Sequence, residues 1–145
     1  MRAVVQRVSS AAVGVGERLV SQMGIGLALL IGVHRDDAEE DARKLADRVV
    51  GMRIFNDADG KINLALKAVE GQIMAVSNFT VYGDASQRRP SFGESAGFEK
   101  GKELFDKFVE EVRNLGVTVH TGEFGSEMQV AICNEGPVTL IVDTR

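Results

Sequence analysis

Gly24-Ile25-Gly26-Leu27-Ala28-Leu29-Leu30-Ile31-Gly32-Val33, followed closely by a charged stretch from Asp36 to Met52, decides the architecture of this chain. The first run is nearly all apolar but too short to span a bilayer, which predicts a strand buried on both faces. In the second, Ala38, Ala42, Leu45, Ala46, Val49 and Met52 recur at helical spacing, while Glu39, Asp41, Arg43, Lys44 and Asp47 fall elsewhere. That pattern predicts an amphipathic helix. Its start is placed near Asp36-Asp37, where carboxylates can cap free N–H groups at the positive end of the helix dipole.

Working outward, residues 2–8 read as a strand. Ala11 to Val15, a turn at Gly16-Glu17 and Arg18 to Gln22 read as a hairpin. Beyond the helix, Arg53-Ile54-Phe55-Asn56 should form a short strand, with a tight turn at Asp59-Gly60. Gln72 to Phe79 is another β-like run, and the polar segment from Gly83 to Gly97 is a long aperiodic loop of the kind that carries function. A second helix is expected over 97–115, with Phe98, Phe105, Phe108, Val109, Val112 and Leu115 on one face and Gly116 as its cap. Val117 to His120, Met128 to Cys133 and Val138 to Asp143 then read as three closing strands, separated by 122–125 and by Asn134-Glu135-Gly136-Pro137. This order predicts an α+β fold, a largely antiparallel sheet or barrel-like core carrying two main helices.

A length of 145 residues with 44% hydrophobic content suits one domain spanning 1–145. Met1 to Val8 alternates and carries charge, unlike a signal peptide, and the single cysteine, Cys133, permits no intrachain disulfide, so a cytoplasmic address is the default. A net charge of -4 argues against gripping long nucleic acid by its phosphates, though not against contact with one end of an RNA. Local positive spots remain at Arg88-Arg89 and at Arg2 and Arg7 on the first strand; Arg88-Arg89 either touches such an RNA end or faces solvent.

Familiar catalytic signatures are missing. His34, His120 and Cys133 do not have the spacing of a metal site, and Cys133 reads as a small core residue and His120 as an exposed strand residue. The chain has no G-x-S-x-G elbow and no phosphate-cradling glycine loop, and no cofactor is implied. Two segments stand out instead. In Ser77-Asn78-Phe79-Thr80 an apolar strand turns into hydroxyl and amide groups around one ring, which suits either a polar pocket floor or an ordinary strand end. In Asn134-Glu135-Gly136-Pro137-Val138-Thr139, a proline follows glycine between two strands, where it removes an N–H donor and tolerates a cis bond; a plain hairpin turn fits as well.

Together these segments resemble the hallmarks of the D-aminoacyl-tRNA deacylase family, a Ser-Gln-Phe-Thr-Leu strand end and a C-terminal Asn-x-Gly-Pro-Val-Thr turn. The likeness extends to the opening Met-Arg-Ala-Val-Val-Gln-Arg-Val, the Gly-Leu-Ala-Leu-Leu-Ile-Gly-Val strand, Arg53-Ile54-Phe55 and Arg89-Pro90-Ser91-Phe92. Asn78 stands where the family has Gln, and Val81 where it has Leu. The resemblance implies a homodimer in which a cis Gly136-Pro137 peptide of one subunit enters the pocket of the other and receives the substrate's α-ammonium. Asn134, Val138 and Thr139 would complete that binding element, and Ser77, Asn78, Phe79 and Thr80 would surround the ester and the terminal adenosine. The implied reaction is hydrolysis of D-aminoacyl-tRNA. Glycine, with no side chain to collide, should be accepted as well, and the free 2′-hydroxyl of the ribose, which can assist water without a protein base, would account for the missing triad. Rival readings are a general esterase using Thr80 or Ser77, and a nucleic-acid-binding protein without catalysis.

Overall fold

The computed structural model describes residues 1–145. The chain begins with a long strand, β1 (Arg2–Val15), which turns into β2 (Arg18–Met23) and continues to β3 (Gly26–Gly32). The first helix, α1 (Glu39–Gly51), leads to a small ribbon of β4 (Phe55–Asn56) and β5 (Ile62–Leu64). Then come β6 (Gln72–Ser77), α2 (Phe98–Asn114), β7 (Val119–Thr121) and β8 (Gln129–Asp143).

β1 organises the sheet. Residues 2–8 pair antiparallel with β3, residues 11–15 pair antiparallel with β2, and β8 pairs antiparallel along almost the whole strand. β3 pairs parallel with β6, and β6 parallel with β7. The Ser21 hydroxyl of β2 donates to the Thr121 carbonyl of β7 at 2.8 Å, so the six-stranded sheet nearly closes on itself. The expected α+β fold with a barrel-like core and two helices is what the chain adopts, the sheet being mixed where β3, β6 and β7 run in parallel.

Alternation along β3 and β6 feeds two apolar layers. Leu27, Leu29, Ile31, Ile73 and Ala75 join the α1 and α2 side chains in the larger core, while Ala28, Met74 and Val76 join Val8, Ala11 and Val13 in the smaller one. Where β3 and β6 begin, the strands lie so close that a Cβ on Gly26 would stand 1.8 Å from the Gln72 carbonyl oxygen, so only glycine fits there.

Several local readings are corrected. Residues 2–8 and 11–15 form one strand, because β8 runs alongside both and absorbs irregularities between Gln6 and Ser10. The last two expected strands are likewise one, and Asn134-Glu135-Gly136-Pro137 lies within β8 instead of separating two strands. The run from Gln72 stops at Ser77, where Phe79–Tyr82 coils into a short 3-10 turn. Helix α1 starts at Glu39, and the Asp41 carboxylate accepts the Ala38 N–H at 2.9 Å. Asp37 does not cap it: its carboxylate is drawn inward, 2.8 Å from the Met1 ammonium and 2.7 Å from the His34 N–H.

On the helices, Ala38 is exposed and Val50 is buried in the α1 stripe. Phe98, at the start of α2, is 65% exposed, and Leu104 is buried on that helix instead. Cys133 is exposed, since β8 pairs only with β1. His120 is half-buried, with Nε2 2.8 Å from Gln72 Oε1. No helix is long and apolar enough to cross a membrane.

Candidate active site

Parallel strands β3 and β6 end side by side, with Ile31 opposite Ser77 and the Asn78 N–H donating to the Ile31 carbonyl at 2.8 Å. The carboxyl ends of neighbouring parallel strands, with a helix N-terminus beside them, are a common place for a ligand cleft. A cleft of about 490 Å³ opens there. Its floor comes from Ser77, Asn78 and Phe79, and its walls from the start of α2, from Phe124 to Ser126, and from Met128 and Val130.

The local chain explains the abrupt turn after Ser77. Asn78 is extended, and its side-chain oxygen accepts the Thr80 N–H at 3.2 Å and the Thr80 hydroxyl at 2.6 Å, which caps the 3-10 turn. The oxygen of the short amide is thus committed to the main-chain N–H and the hydroxyl of Thr80. Phe79 is left 58% exposed, its ring edge-on to Phe92 at 5.3 Å, and the Ser95 hydroxyl donates to the Phe79 carbonyl at 2.7 Å. No side chain caps α2, whose residues Gly97, Phe98 and Gly101 line the cleft, so first-turn amides at its positive end are left without a side-chain acceptor.

The second motif lies elsewhere. Val8 pairs with Asn134 and Gln6 with Thr139, so Glu135, Gly136, Pro137 and Val138 all stand opposite Arg7 alone and bulge out of the ladder. The Asn134 side chain closes this excursion, donating to Thr139 Oγ1 at 3.0 Å and accepting the Val138 N–H at 3.3 Å. The Gly136–Pro137 peptide is cis, and both residues are exposed. None of Asn134, Gly136, Pro137, Val138 and Thr139 lines the cleft of the same chain, and Thr80 stands outside its lining too.

Arg7, expected as a local positive spot on the first strand, is instead the buried support of this excursion. Arg7 is 7% exposed and donates to the carbonyls of Glu135 and Ile54 and to the Asn56 side chain. The available signal was its phase: Ala3 and Val5 point inward, and Arg7 is the next residue on that face. Phe92 fell within the Arg89-Pro90-Ser91-Phe92 segment without a role being assigned to it, and Ser95, Ala96, Met128 and Val130 carried no motif that would have singled them out.

A family model described as D-Tyr-tRNA(Tyr) deacylase matches residues 4–143. The chain belongs to this deacylase family. Among curated relatives, the D-aminoacyl-tRNA deacylase of Thermotoga petrophila is 50% identical over 99% of this chain and 97% of that protein. That of Fervidobacterium nodosum is 50% identical over 100% of this chain and 98% of its own length. A solved structure titled c-Myc DNA Unwinding Element Binding Protein superposes with a TM-score of 0.94 at 30% identity, covering 100% of this chain and 99% of that one. A probable eukaryotic D-amino acid tRNA deacylase superposes with a TM-score of 0.85 at 20% identity over 97% of each chain, which speaks for the fold alone. The deacylase resemblance read from the two motifs is therefore borne out, and with it the expectation of a hydrolase.

Proposed function

We propose that this deacylase hydrolyses the ester between tRNA and a D-amino acid or glycine, working in the cytoplasm as a homodimer in which each Gly136-Pro137 excursion completes the cleft of the other chain. The observation that carries the reading is the separation of the two motifs. The exposed excursion of β8 has no part in the cleft that Ser77, Asn78 and Phe79 floor within the same chain, so the two motifs act on one substrate only where the excursion comes from a second copy.

Distinguishing mirror images takes several fixed constraints at the α-carbon, and main-chain atoms hold position better than a side chain free to change rotamer. The carbonyls at Gly136-Pro137 would receive the α-ammonium, and an L side chain would meet the Gly-Pro wall. Rejection by clash leaves every D-residue and glycine admissible. Asn134 and Thr139, bonded to one another, and Val138 would hold the excursion in shape.

In the cleft, Phe79 offers an exposed ring to the terminal base or ribose, and main-chain N–H groups steady the oxyanion. Thr80 is no activated nucleophile in this reading, because its hydroxyl donates to the Asn78 amide oxygen, which is no base. The ribose 2′-hydroxyl assists water in its place.

Hydrolysis of matched D-, L- and glycyl-tRNA by purified protein tests this. Release is expected from the D and glycyl forms and negligible from the L form. A substrate ending in 2′-deoxyadenosine should lose most turnover, while Thr80→Ala should keep much of it. Equal discharge of both mirror forms would overturn the reading, and the reverse pattern for 2′-deoxyadenosine and Thr80→Ala would favour covalent catalysis. Light scattering should report a dimer.

A further inference from the structure

We propose that Arg88 and Arg89 form a phosphate-binding clamp for the single-stranded acceptor end, engaging the phosphodiesters next to the terminal nucleotide held in the cleft. This inference rests on the tRNA reading above and adds to it the site that would hold the RNA backbone.

The starting observation is an imbalance of partners. Arg88 and Arg89 are the only arginines that make neither a hydrogen bond nor an ion pair; every other guanidinium is spent on a carboxylate, a carbonyl or an amide of the chain. Both are exposed. In a protein of net charge -4, two adjacent unneutralised guanidinium groups make a local positive spot that the rest of the surface does not dictate.

Their placement supplies the second observation. Asp84 and Ser91 exchange backbone hydrogen bonds at 2.8 and 3.0 Å, closing a hairpin loop with the two arginines toward its tip. Asp84, the one acid inside that loop, turns its carboxylate onto the Ser86 N–H at 2.9 Å. Directly after the hairpin, Phe92 packs on Phe79 and Ser95 donates to the Phe79 carbonyl, so the loop is anchored on the cleft's own aromatic residue. Even fully extended, the three residues from Arg89 to Phe92 would span at most about 10 Å, so the tip stands within that distance of the anchor. Pro90 restricts the backbone beside Arg89. A planar guanidinium matches the paired oxygens of a phosphodiester and remains charged at any working pH.

The test compares kcat/KM for D-aminoacyl-tRNA with that for D-aminoacyl-adenosine, which has the ester and base but no phosphate, across a range of salt. Unaltered protein, Arg88→Ala/Arg89→Ala and Arg88→Lys/Arg89→Lys would be measured side by side. The alanine pair should lower the ratio of tRNA to adenosine rates about tenfold at low salt. It should also flatten the slope of log kcat/KM against log salt by about 1.4, at roughly 0.7 per single-strand phosphate contact. The lysine pair should recover most of the slope.

An equal loss on both substrates would mark a structural role, and an unchanged ratio and slope would mark a solvated loop; either overturns the clamp. Unaltered protein that hydrolyses neither D-substrate would instead overturn the proposed function, and the clamp with it.

Discussion

The Arg7 guanidinium donates through Nε to the Glu135 carbonyl at 3.1 Å, tying the first strand to the Gly136-Pro137 excursion of the last. Nη1 of the same group reaches the Ile54 carbonyl at 2.9 Å and Asn56 Oδ1 at 3.2 Å, so one buried cation joins β8 to the segment that follows α1. A cation at 7% exposure persists because its donors are met by three oxygens of the chain.

Replacing Arg7 with Met keeps much of the aliphatic stem and removes those donors, leaving the Ile54 carbonyl buried without its partner. The cost should be about 1–3 kcal/mol, read as a shift in the urea midpoint with an unchanged slope. Discrimination between D- and L-aminoacyl-tRNA should also weaken, because the excursion loses its anchor. Full discrimination in the variant would show that Asn134 and Thr139 hold the excursion by themselves.

Gly136→Ala should be more damaging to activity than to folding. Gly136 has φ +122, and an added Cβ would stand 2.8 Å from Arg7 Nη2 and 3.0 Å from Val138 Cγ2. The guanidinium is pinned by its own hydrogen bonds and cannot readily give way, so the excursion must move. Backbone strain of about 1–3 kcal/mol is expected. Turnover of D-aminoacyl-tRNA should fall at least about tenfold, since small displacements at a positioning element are costly. Near-normal kinetics would remove the excursion from the active site.

Asp37→Asn probes the deepest charge pair. The Met1 ammonium and the Asp37 carboxylate are 2.8 Å apart with both side chains at 0% exposure, and Thr144 Oγ1 accepts from the same ammonium at 2.6 Å. Removing one member of such a pair strands the other, which should cost about 3–5 kcal/mol in chemical denaturation. A loss below about 1 kcal/mol would place this amine in the range of surface pairs.

Acid should weaken the fold through Asp143. Burial pushes its carboxyl up, but the Arg145 N–H and the Arg2 guanidinium, 2.7 Å away, outweigh it and leave the group below its usual 3.8. A depressed folded value means that the stabilisation is complete above the unfolded value and is lost as pH falls through the folded one. Urea midpoints should therefore hold level above about pH 5 and decline below about pH 4, with a shallower decline in Asp143→Asn. Matching acid limbs in the two proteins would assign the decline to other carboxylates.

Periodicity by itself determined β3, α1 and most of α2, because apolar spacing along Gly24 to Met52 and Phe98 to Leu115 records which face meets a core. The two motifs were legible through the family resemblance, since by residue type alone an ordinary strand end and a plain hairpin turn fit them as well. Only the tertiary structure decided that β8 stays one strand through Gly136-Pro137, that Arg7 lies buried beneath it, that Asp37 turns from helix cap to ion partner, and that the two motifs stand apart within one chain. Each of these depends on partners distant in sequence: Arg7 meets Glu135 across 128 positions, and no local spacing encodes which strand will lie alongside.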